Sequence, residues 1–138
     1  SLNLHNSKAA PNGAAFLLQQ LPRHIMRTAF LGCDRVIKLK SLVDWDYEIW
    51  AEGFCVGWVR ILWEATPRLD CFLEEMHRGN GYALAACNEV LELLENEDTS
   101  LVCAQCQLEN ASAMRLLSRL GFELKRVREE KLFFEAQL

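Results

Sequence analysis

Apolar residues recur at helical spacing in two parts of the second half of the chain. Between Leu84 and Leu94 they fall at steps of three, three, one and three residues, a stripe typical of a helix that packs on a sheet. A second helix is predicted over residues 111–120, with Asn110 as its N-cap and Gly121 at its C-terminus. Each helix therefore has one face suited to a shared core.

Other segments are rich in β-branched and aromatic residues, which favours strands. Residues 47–52 and 55–63 flank a turn that contains Gly53, so a β-hairpin is predicted there. Four further strands are predicted at residues 69–73, 101–107, 123–128 and 131–136. This order of elements predicts a mixed α/β (α+β) domain and excludes a doubly wound sheet.

The N-terminal third of the chain has a less definite pattern. Residues 14–31 have helical apolar spacing that Pro22 interrupts, so two short helices or one kinked helix fit equally. Residues 35–39 fit either a short strand or a helix end. Residues 1–13 contain a polar stretch that we expect to be poorly ordered, which leaves residues 14–138 as a single domain.

Length and composition are those of one soluble globular domain. With 138 residues, 51% of them apolar and 25% charged, the chain can bury one sizeable core. No run approaches the roughly 18 apolar residues of a membrane span, and no signal peptide is visible, so we expect a cytoplasmic protein without a membrane partner. The net charge of −4 and the scattered Lys and Arg argue against nucleic acid and favour a cationic partner.

The six cysteines are predicted to be structural thiols. Each lies in an apolar or strand-like segment, where a free cysteine behaves as a small buried hydrophobe. Cys103 and Cys106 form a C-x-x-C, but on a strand they would project to opposite faces, which is poor geometry for a metal or a disulfide. We therefore predict no metal site.

A glycine-rich turn, Arg78-Gly79-Asn80-Gly81-Tyr82-Ala83, lies between a predicted strand and a predicted helix. At such a place backbone N–H groups are unpaired and the helix dipole favours an anion. The spacing is neither the P-loop nor the dinucleotide fingerprint. Taken alone, the turn fits a phosphate site or a tight connection without a ligand equally well.

A second motif, Asn110 followed by Leu120-Gly121-Phe122, decides between these two interpretations. Arg78-x-x-Gly81-x-Ala83 and this second motif stand in the same order and spacing as the R/Q-x-x-G-x-G/A and N-x-x-S/A…L-G-F motifs of the GNAT superfamily, the acetyl-coenzyme A dependent N-acetyltransferases. Val56-Gly57 also resembles the start of the family's third strand. The chain resembles this superfamily from about residue 47 to its end.

The resemblance implies a fold and a cofactor site. The fold is a central, mostly antiparallel sheet, splayed between the family's fourth and fifth strands and flanked by helices. The main chain near Leu73 would contact pantetheine, the amides from Gly79 to Ala83 would wrap the pyrophosphate of acetyl-CoA, and the Asn110 side chain would contact the cofactor. The residues expected to bind the cofactor are Leu73, Arg78, Gly79, Asn80, Gly81, Tyr82, Ala83 and Asn110.

The family's usual acid and base positions hold residues that cannot titrate usefully: Pro67, Leu69, Gln105 and Leu117. The candidate substitutes are Glu74 and Glu75 at the cleft mouth and His77, whose unperturbed pKa is near neutrality. The alternative for each is a solvated loop residue. A water relay and the positioning of amine and thioester would also support transfer without a dedicated base.

The acceptor is predicted to be a primary amine on a small molecule or a protein N-terminus. Aromatic residues of the hairpin line an acceptor pocket or belong to the sheet core: Trp45, Tyr47, Trp50, Trp58 and Trp63. Glu48 and Glu52 either attract a cationic amine or are solvated. The alternatives to an enzyme are a GNAT-fold module that binds CoA or acyl-CoA without transfer, and an interaction domain. A homodimer through an exposed strand edge is also expected.

Overall fold

The computed structural model describes residues 26–30 and 36–138. In these residues the chain forms one eight-stranded sheet with two α-helices and a short 3-10 turn at Glu75–His77. The strands are β1 Met26–Phe30, β2 Val36–Val43, β3 Asp46–Ala51, β4 Phe54–Leu62, β5 Arg68–Leu73, β6 Leu101–Gln107, β7 Glu123–Arg128 and β8 Lys131–Gln137. The helices are α1 Tyr82–Asn96 and α2 Ala111–Arg119.

The sheet has the order β1-β2-β3-β4-β5-β6-β8-β7, and its first five strands form an antiparallel meander. The next pair, β5 and β6, is parallel and is in register only at Arg68 and Cys103. Beyond that point the two strands part, so the sheet is splayed towards the C-terminal end of β5. The predicted splay is confirmed, and it lies one strand later than the family's numbering because an additional strand precedes it.

One face of the meander packs against α1 and forms the core. The side chains of Leu39, Ile49 and Val59 on successive strands are fully buried, as are Val90 and Leu94 of the helix. α1 therefore lies across the sheet on one side, and its N-terminus is directed at the end of β5, where the sheet opens.

The opposite face of the meander carries aromatic and charged side chains. The Trp58 ring stacks on Phe72 with centroids 6.0 Å apart, and the Arg60 guanidinium lies 3.8 Å from the Trp58 centroid. Trp50 Nε1 donates a 3.0 Å hydrogen bond to Glu48. The aromatic residues of the hairpin thus divide, because Tyr47 is buried in the core whereas Trp50 and Trp58 are half-buried on this second face.

The N-terminal prediction is wrong in part. Residues 26–30, expected to be helical, are strand β1, which pairs with β2 along its whole length. The ambiguous residues 35–39 fall largely in β2. A short apolar run cannot be assigned to helix or strand from its periodicity, and here pairing with a neighbour decides the outcome. The expectations for residues 1–13 and for residues 14–25 lie outside the described residues.

The C-terminal predictions are confirmed to within one residue for both strands and for α2. Asn110 caps α2 by accepting a 3.0 Å hydrogen bond from the Ala113 N–H, and Gly121 after the helix has φ +92°. A two-residue turn at Glu129 and Glu130, both with positive φ, joins β7 to β8. Local signals therefore determine this half of the fold.

The five cysteines within the described residues are free thiols. Cys87 is fully buried, and a hydrogen bond with Cys71 together with this burial raises the pKa of its thiol. Burial also raises the pKa of Cys103 and Cys106. Cys55 is exposed, so the expectation that every cysteine is buried is wrong for this one, which lies at the start of β4 beside the hairpin turn. Neither described helix has the length and apolar character needed to cross a membrane.

Candidate functional site

A cavity of about 410 Å³ lies where β5 ends, between the N-termini of α1 and α2. It brings together seven of the eight residues expected to bind a cofactor: Leu73, Arg78, Gly79, Gly81, Tyr82, Ala83 and Asn110. The remaining lining residues are Cys71, Phe72, Leu84, Ser112, Ala113, Arg115, Leu116 and Arg119. The two motifs, which are about 30 residues apart in sequence, therefore meet at one concave site.

The glycine turn presents a group of backbone N–H donors to this cavity. Within the described part of the chain, the N–H groups of Gly79, Asn80 and Gly81 donate no backbone hydrogen bond. The first helical bond of α1 runs from the Ala85 N–H to the Gly81 carbonyl, so the Ala83 N–H has no helical acceptor either. Gly81 occupies the N-cap position without a side-chain cap. The α1 N-terminus has the features of an anion-binding site.

The conformation of this turn depends on its glycines. Gly79 and Gly81 have φ of +83° and +82°, a region that costs other L-residues about 1–2 kcal/mol. A Cβ added at Gly79 would meet no atom within 4 Å, so the requirement there is backbone conformation and not space. The glycines therefore set the direction of the free N–H groups.

Side chains of the turn hold it in place. Arg78 Nε donates a 3.0 Å hydrogen bond to the Leu73 carbonyl, and Asn80 Nδ2 donates a 3.2 Å bond to the His77 carbonyl. Asn80 does not line the cavity; within the described chain its side chain bonds to the turn itself. Any contribution of Asn80 to ligand binding would therefore come from its backbone N–H.

The open edge of β5 also faces the splay. The Glu74 N–H donates to the Val56 carbonyl of β4 at 2.9 Å, and antiparallel pairing alternates, so the backbone of Leu73 and of Cys71 points away from β4. The Asp70 carboxylate accepts a 3.0 Å hydrogen bond from the Cys71 N–H, and the Leu73 carbonyl accepts one from Arg78 Nε. The Leu73 N–H is therefore the donor on this edge that is placed beside the cavity.

The three candidate acid–base residues lie beside the cavity and do not line it. Glu74 Oε1 lies 3.8 Å from His77 Nε2, and Glu75 is exposed in the 3-10 turn. At the family's acid and base positions, Leu69 and Leu117 are 6% exposed and lie within the core. The structure thus places Glu74, Glu75 and His77 together on the outer side of the turn.

Two carboxylates that were candidates for attracting an amine have partners. Glu52 accepts a hydrogen bond from the hydroxyl of Tyr82, whose ring is buried at the start of α1. Glu48 accepts from Trp50. Glu52 therefore ties the β3–β4 turn to the start of α1, next to the glycine turn.

Arg115 and Arg119 are cavity residues that sequence reasoning missed. They lie one helical turn apart on α2, and both are exposed. With Arg78 they give the lining three guanidinium groups, and no Asp or Glu of the described chain lines the cavity. Sequence alone carried no signal for them, because arginines on an exposed helix face look solvated until the position of α1 is known. The cavity is suited to a polyanionic ligand.

A splayed mixed sheet with an uncapped glycine turn at its opening places this chain among mixed α/β folds, and solved acetyltransferases share the fold. An acetyltransferase (GNAT family) from Bacillus anthracis matches with a TM-score of 0.61 and 15% identity, covering 67% of this chain and 65% of that one. YncA, a putative acetyltransferase from Salmonella typhimurium solved with its cofactor acetyl-CoA, matches at 0.60 and 17%, covering 67% and 64%. These identities show a shared fold only.

A third match is the ribosomal-protein-alanine N-acetyltransferase from Brucella melitensis, with a TM-score of 0.60 and 18% identity, covering 67% of this chain and 68% of that one. The matched part thus spans slightly less than two thirds of the first two relatives. A sequence search of curated proteins found no match. The family model for the acetyltransferase (GNAT) domain matches residues 19–123, and the chain belongs to this family.

Proposed function

We propose that this protein is an acetyl-CoA dependent N-acetyltransferase that acts on a primary amine by direct attack on the thioester. The observation that carries the proposal is the set of N–H groups from Gly79 to Gly81, which have no backbone acceptor in the described chain. They lie at the mouth of a cavity to which the described residues contribute no carboxylate. A diphosphate needs several preorganised N–H donors of this kind. Family membership and a relative solved with acetyl-CoA support the choice of ligand.

The residues present fit acetyl-CoA, which would supply an activated acetyl thioester. The N–H groups of Gly79, Gly81 and Ala83 would bind the diphosphate at the N-terminus of α1. The Leu73 N–H would bind the pantetheine arm or polarise the thioester carbonyl. Asn110 uses its Oδ1 to cap α2, so its Nδ2 group is the part that can donate to the ligand.

Among the described residues, the cavity lining offers no carboxylate or imidazole for proton transfer. We propose that water carries the amine proton from the cleft to the Glu74–His77 pair or to Glu75, all at the edge of the turn. Positioning the amine against the thioester would supply much of the acceleration. Glu74, Glu75 and His77 are therefore proposed as proton acceptors at the end of a relay.

The acceptor is proposed to be a small-molecule amine or a protein N-terminus. The name of the Brucella melitensis relative, a ribosomal-protein-alanine N-acetyltransferase, supports including protein N-termini. Phe72 lines the cavity and also stacks on Trp58 of the second sheet face, so an acceptor on that face would reach the cavity beside an aromatic surface. We further propose a cytoplasmic location.

A second candidate function is a module that binds CoA or acyl-CoA without transferring the acyl group. Leu117, which takes the place of the family's tyrosine, is buried in the core, and Leu69 is buried at a position where a base often lies. No side chain at these two positions is able to protonate a leaving thiolate or take a proton from an amine. This observation favours slow transfer or none.

Two measurements test the function. Isothermal titration calorimetry with acetyl-CoA and with CoA tests the cleft, and absence of binding at millimolar concentration would contradict both candidates. Thiol release from acetyl-CoA, measured against a panel of amines that includes peptides with free N-terminal alanine, separates them. Sustained release that requires an amine supports the enzyme, whereas tight binding with background hydrolysis supports the module.

A homodimer is proposed through β7, which forms one edge of the sheet. All six of its residues are exposed, and Leu124 and Val127 are more than half exposed. An exposed strand edge of this kind is a ready surface for pairing with another strand. Light scattering coupled to gel filtration measures the mass; a dimer that Val127→Lys converts to monomer supports the proposal, and a wild-type monomer contradicts it.

A further inference from the structure

Two cysteine thiols meet between the sheet and α1, beside the cavity. Cys71 lies opposite Val59 in the register of β4 and β5, and Val59 is fully buried, so the Cys71 side chain is on the face of the sheet that α1 covers. Cys87 lies on the buried side of α1, and its thiol makes a hydrogen bond with that of Cys71. The two sulfur atoms are therefore in direct contact across the interface of helix and sheet.

The two thiols differ in access. β6 pairs in register with β5 only at Arg68 and Cys103 and then parts from it, so no strand of the described chain pairs with the β5 edge at Cys71. Cys71 is half-buried and lines the cavity, together with Leu84, one helical turn before Cys87. Cys87 is fully buried, and the hydrogen bond and this burial raise the pKa of its thiol, so it stays protonated. A reagent in the cavity therefore reaches Cys71 and not Cys87.

Cys55 and Cys103 have different surroundings. The Cys55 thiol donates to the Gly57 carbonyl at 3.6 Å, and the Cys103 thiol donates to the Thr66 carbonyl at 3.7 Å. A contact between one accessible and one enclosed thiol is suited to exchange with an external disulfide, since the accessible sulfur attacks first and the enclosed sulfur then displaces the bound thiol. The pair beside the cavity has both parts of such a site.

We propose that Cys71 and Cys87 form a redox-active dithiol that exchanges with the disulfide of a small thiol such as glutathione. In the first step the Cys71 sulfur bonds to one sulfur of that disulfide, the S–S bond breaks, and the departing thiol takes the proton that Cys71 loses. In the second step the Cys87 sulfur bonds to the Cys71 sulfur, and the second small thiol leaves with the Cys87 proton. Two protein thiols are oxidised, and one external disulfide is reduced to two thiols.

This exchange affects the space in the cavity. A small thiol bound to Cys71 occupies part of the cavity wall, and formation of the bond to Cys87 releases it. Cys87 thus clears the cavity of the adduct, and the new bond joins β5 to α1. The inference goes beyond the proposed function and does not require CoA, so a protein that fails to bind CoA would leave it intact.

Incubation of the reduced full chain with glutathione disulfide, without denaturant, tests the inference. Alkylation of the remaining thiols and peptide mass mapping then locate each bond. The wild type is expected to form the bond between Cys71 and Cys87, with the loss of two hydrogens and no glutathione left on Cys71. Cys87→Ala is expected to retain glutathione on Cys71, because the sulfur that displaces it is absent. The matched control Cys55→Ala removes an exposed thiol that does not line the cavity, and it should form the same bond as the wild type.

The exposed Cys55 of the wild type also reports that the reagent is active. Glutathione on Cys55 together with an unreacted Cys71 would overturn the inference, as would glutathione that persists on Cys71 of the wild type. A further variant keeps the test independent of the folding of Cys87→Ala: in Cys71→Ala, the buried Cys87 should remain a free thiol. Glutathione on Cys87 of this variant would contradict the order of the two steps and overturn the inference.

Discussion

The two helices that border the cavity differ in how they contribute to it. α1 buries eight of its residues against the sheet and leaves its N-terminus uncapped, whereas α2 buries only Leu117 and has its N-terminus capped by Asn110. The first helix thus offers backbone N–H groups at one end, and the second offers charged side chains along one face. The cavity thus combines the backbone N–H groups of the glycine turn with two exposed arginine side chains that do not pack in the core.

The largest expected effect concerns the packing of α1. Leu94→Ala removes a fully buried side chain, and we expect it to lower the free energy of unfolding by about 3 kcal/mol. Met114→Ala on α2, where the side chain is half-buried, should cost about 1 kcal/mol. Urea denaturation followed by tryptophan fluorescence measures both. Equal losses would show that the two helices do not differ in this way.

The next effect concerns the glycine turn that presents the backbone N–H groups to the cavity. Gly81→Ala places a Cβ at φ +82°, so we expect a loss of about 1–2 kcal/mol in stability and a shift of the turn that weakens CoA binding on the order of tenfold. Gly53→Ala, at φ +86° in the β3–β4 turn and with nothing within 4 Å of the new Cβ, is the matched control. It should lose similar stability and keep its affinity for CoA. If both variants bind CoA like the wild type, the turn does not form the anion site.

The smallest effect separates the two roles of Asn110. Asn110→Ala removes the α2 cap and should cost about 1 kcal/mol in thermal or urea denaturation. Asn110→Ser keeps a capping oxygen and should retain nearly all of the stability, while losing the Nδ2 donor that we assign to the ligand. Calorimetry should then show weaker CoA binding for both variants. Wild-type affinity in Asn110→Ser would limit Asn110 to a structural role.

The parts of the fold that sequence reasoning predicted are those with local signals. Asn110, Gly121 and the glycine turn each impose a backbone conformation that their own residue type explains, so the bounds of α2 and the position of the turn could be derived. β1 carried no such signal. Its five residues form a strand because β2 lies beside them, and this pairing is not encoded in the periodicity of a short segment.

In the candidate site too, the residues with a local sequence signal could be predicted and those that depend on packing could not. The donors of the glycine turn could be located from the motif, because they follow from a strand, two glycines and a helix in sequence. Arg115 and Arg119 could not, because charged residues on the outer face of a helix look solvated until the position of α1 is known. The cofactor contact of Asn80 stays a prediction: its side chain bonds to the His77 carbonyl, so its backbone N–H is the group that would make the contact.

The proposed cofactor site depends on the N–H groups of the glycine turn, and their NMR signals report on them directly. Titration of ¹⁵N-labelled protein with CoA should shift the amide resonances of Gly79, Gly81 and Ala83 together, with one saturable dependence that matches the calorimetric affinity. The amide of Gly53, in a similar turn away from the cavity, should stay in place. Resonances of the glycine turn that do not move while calorimetry shows CoA binding would contradict the assignment of these N–H groups to the diphosphate.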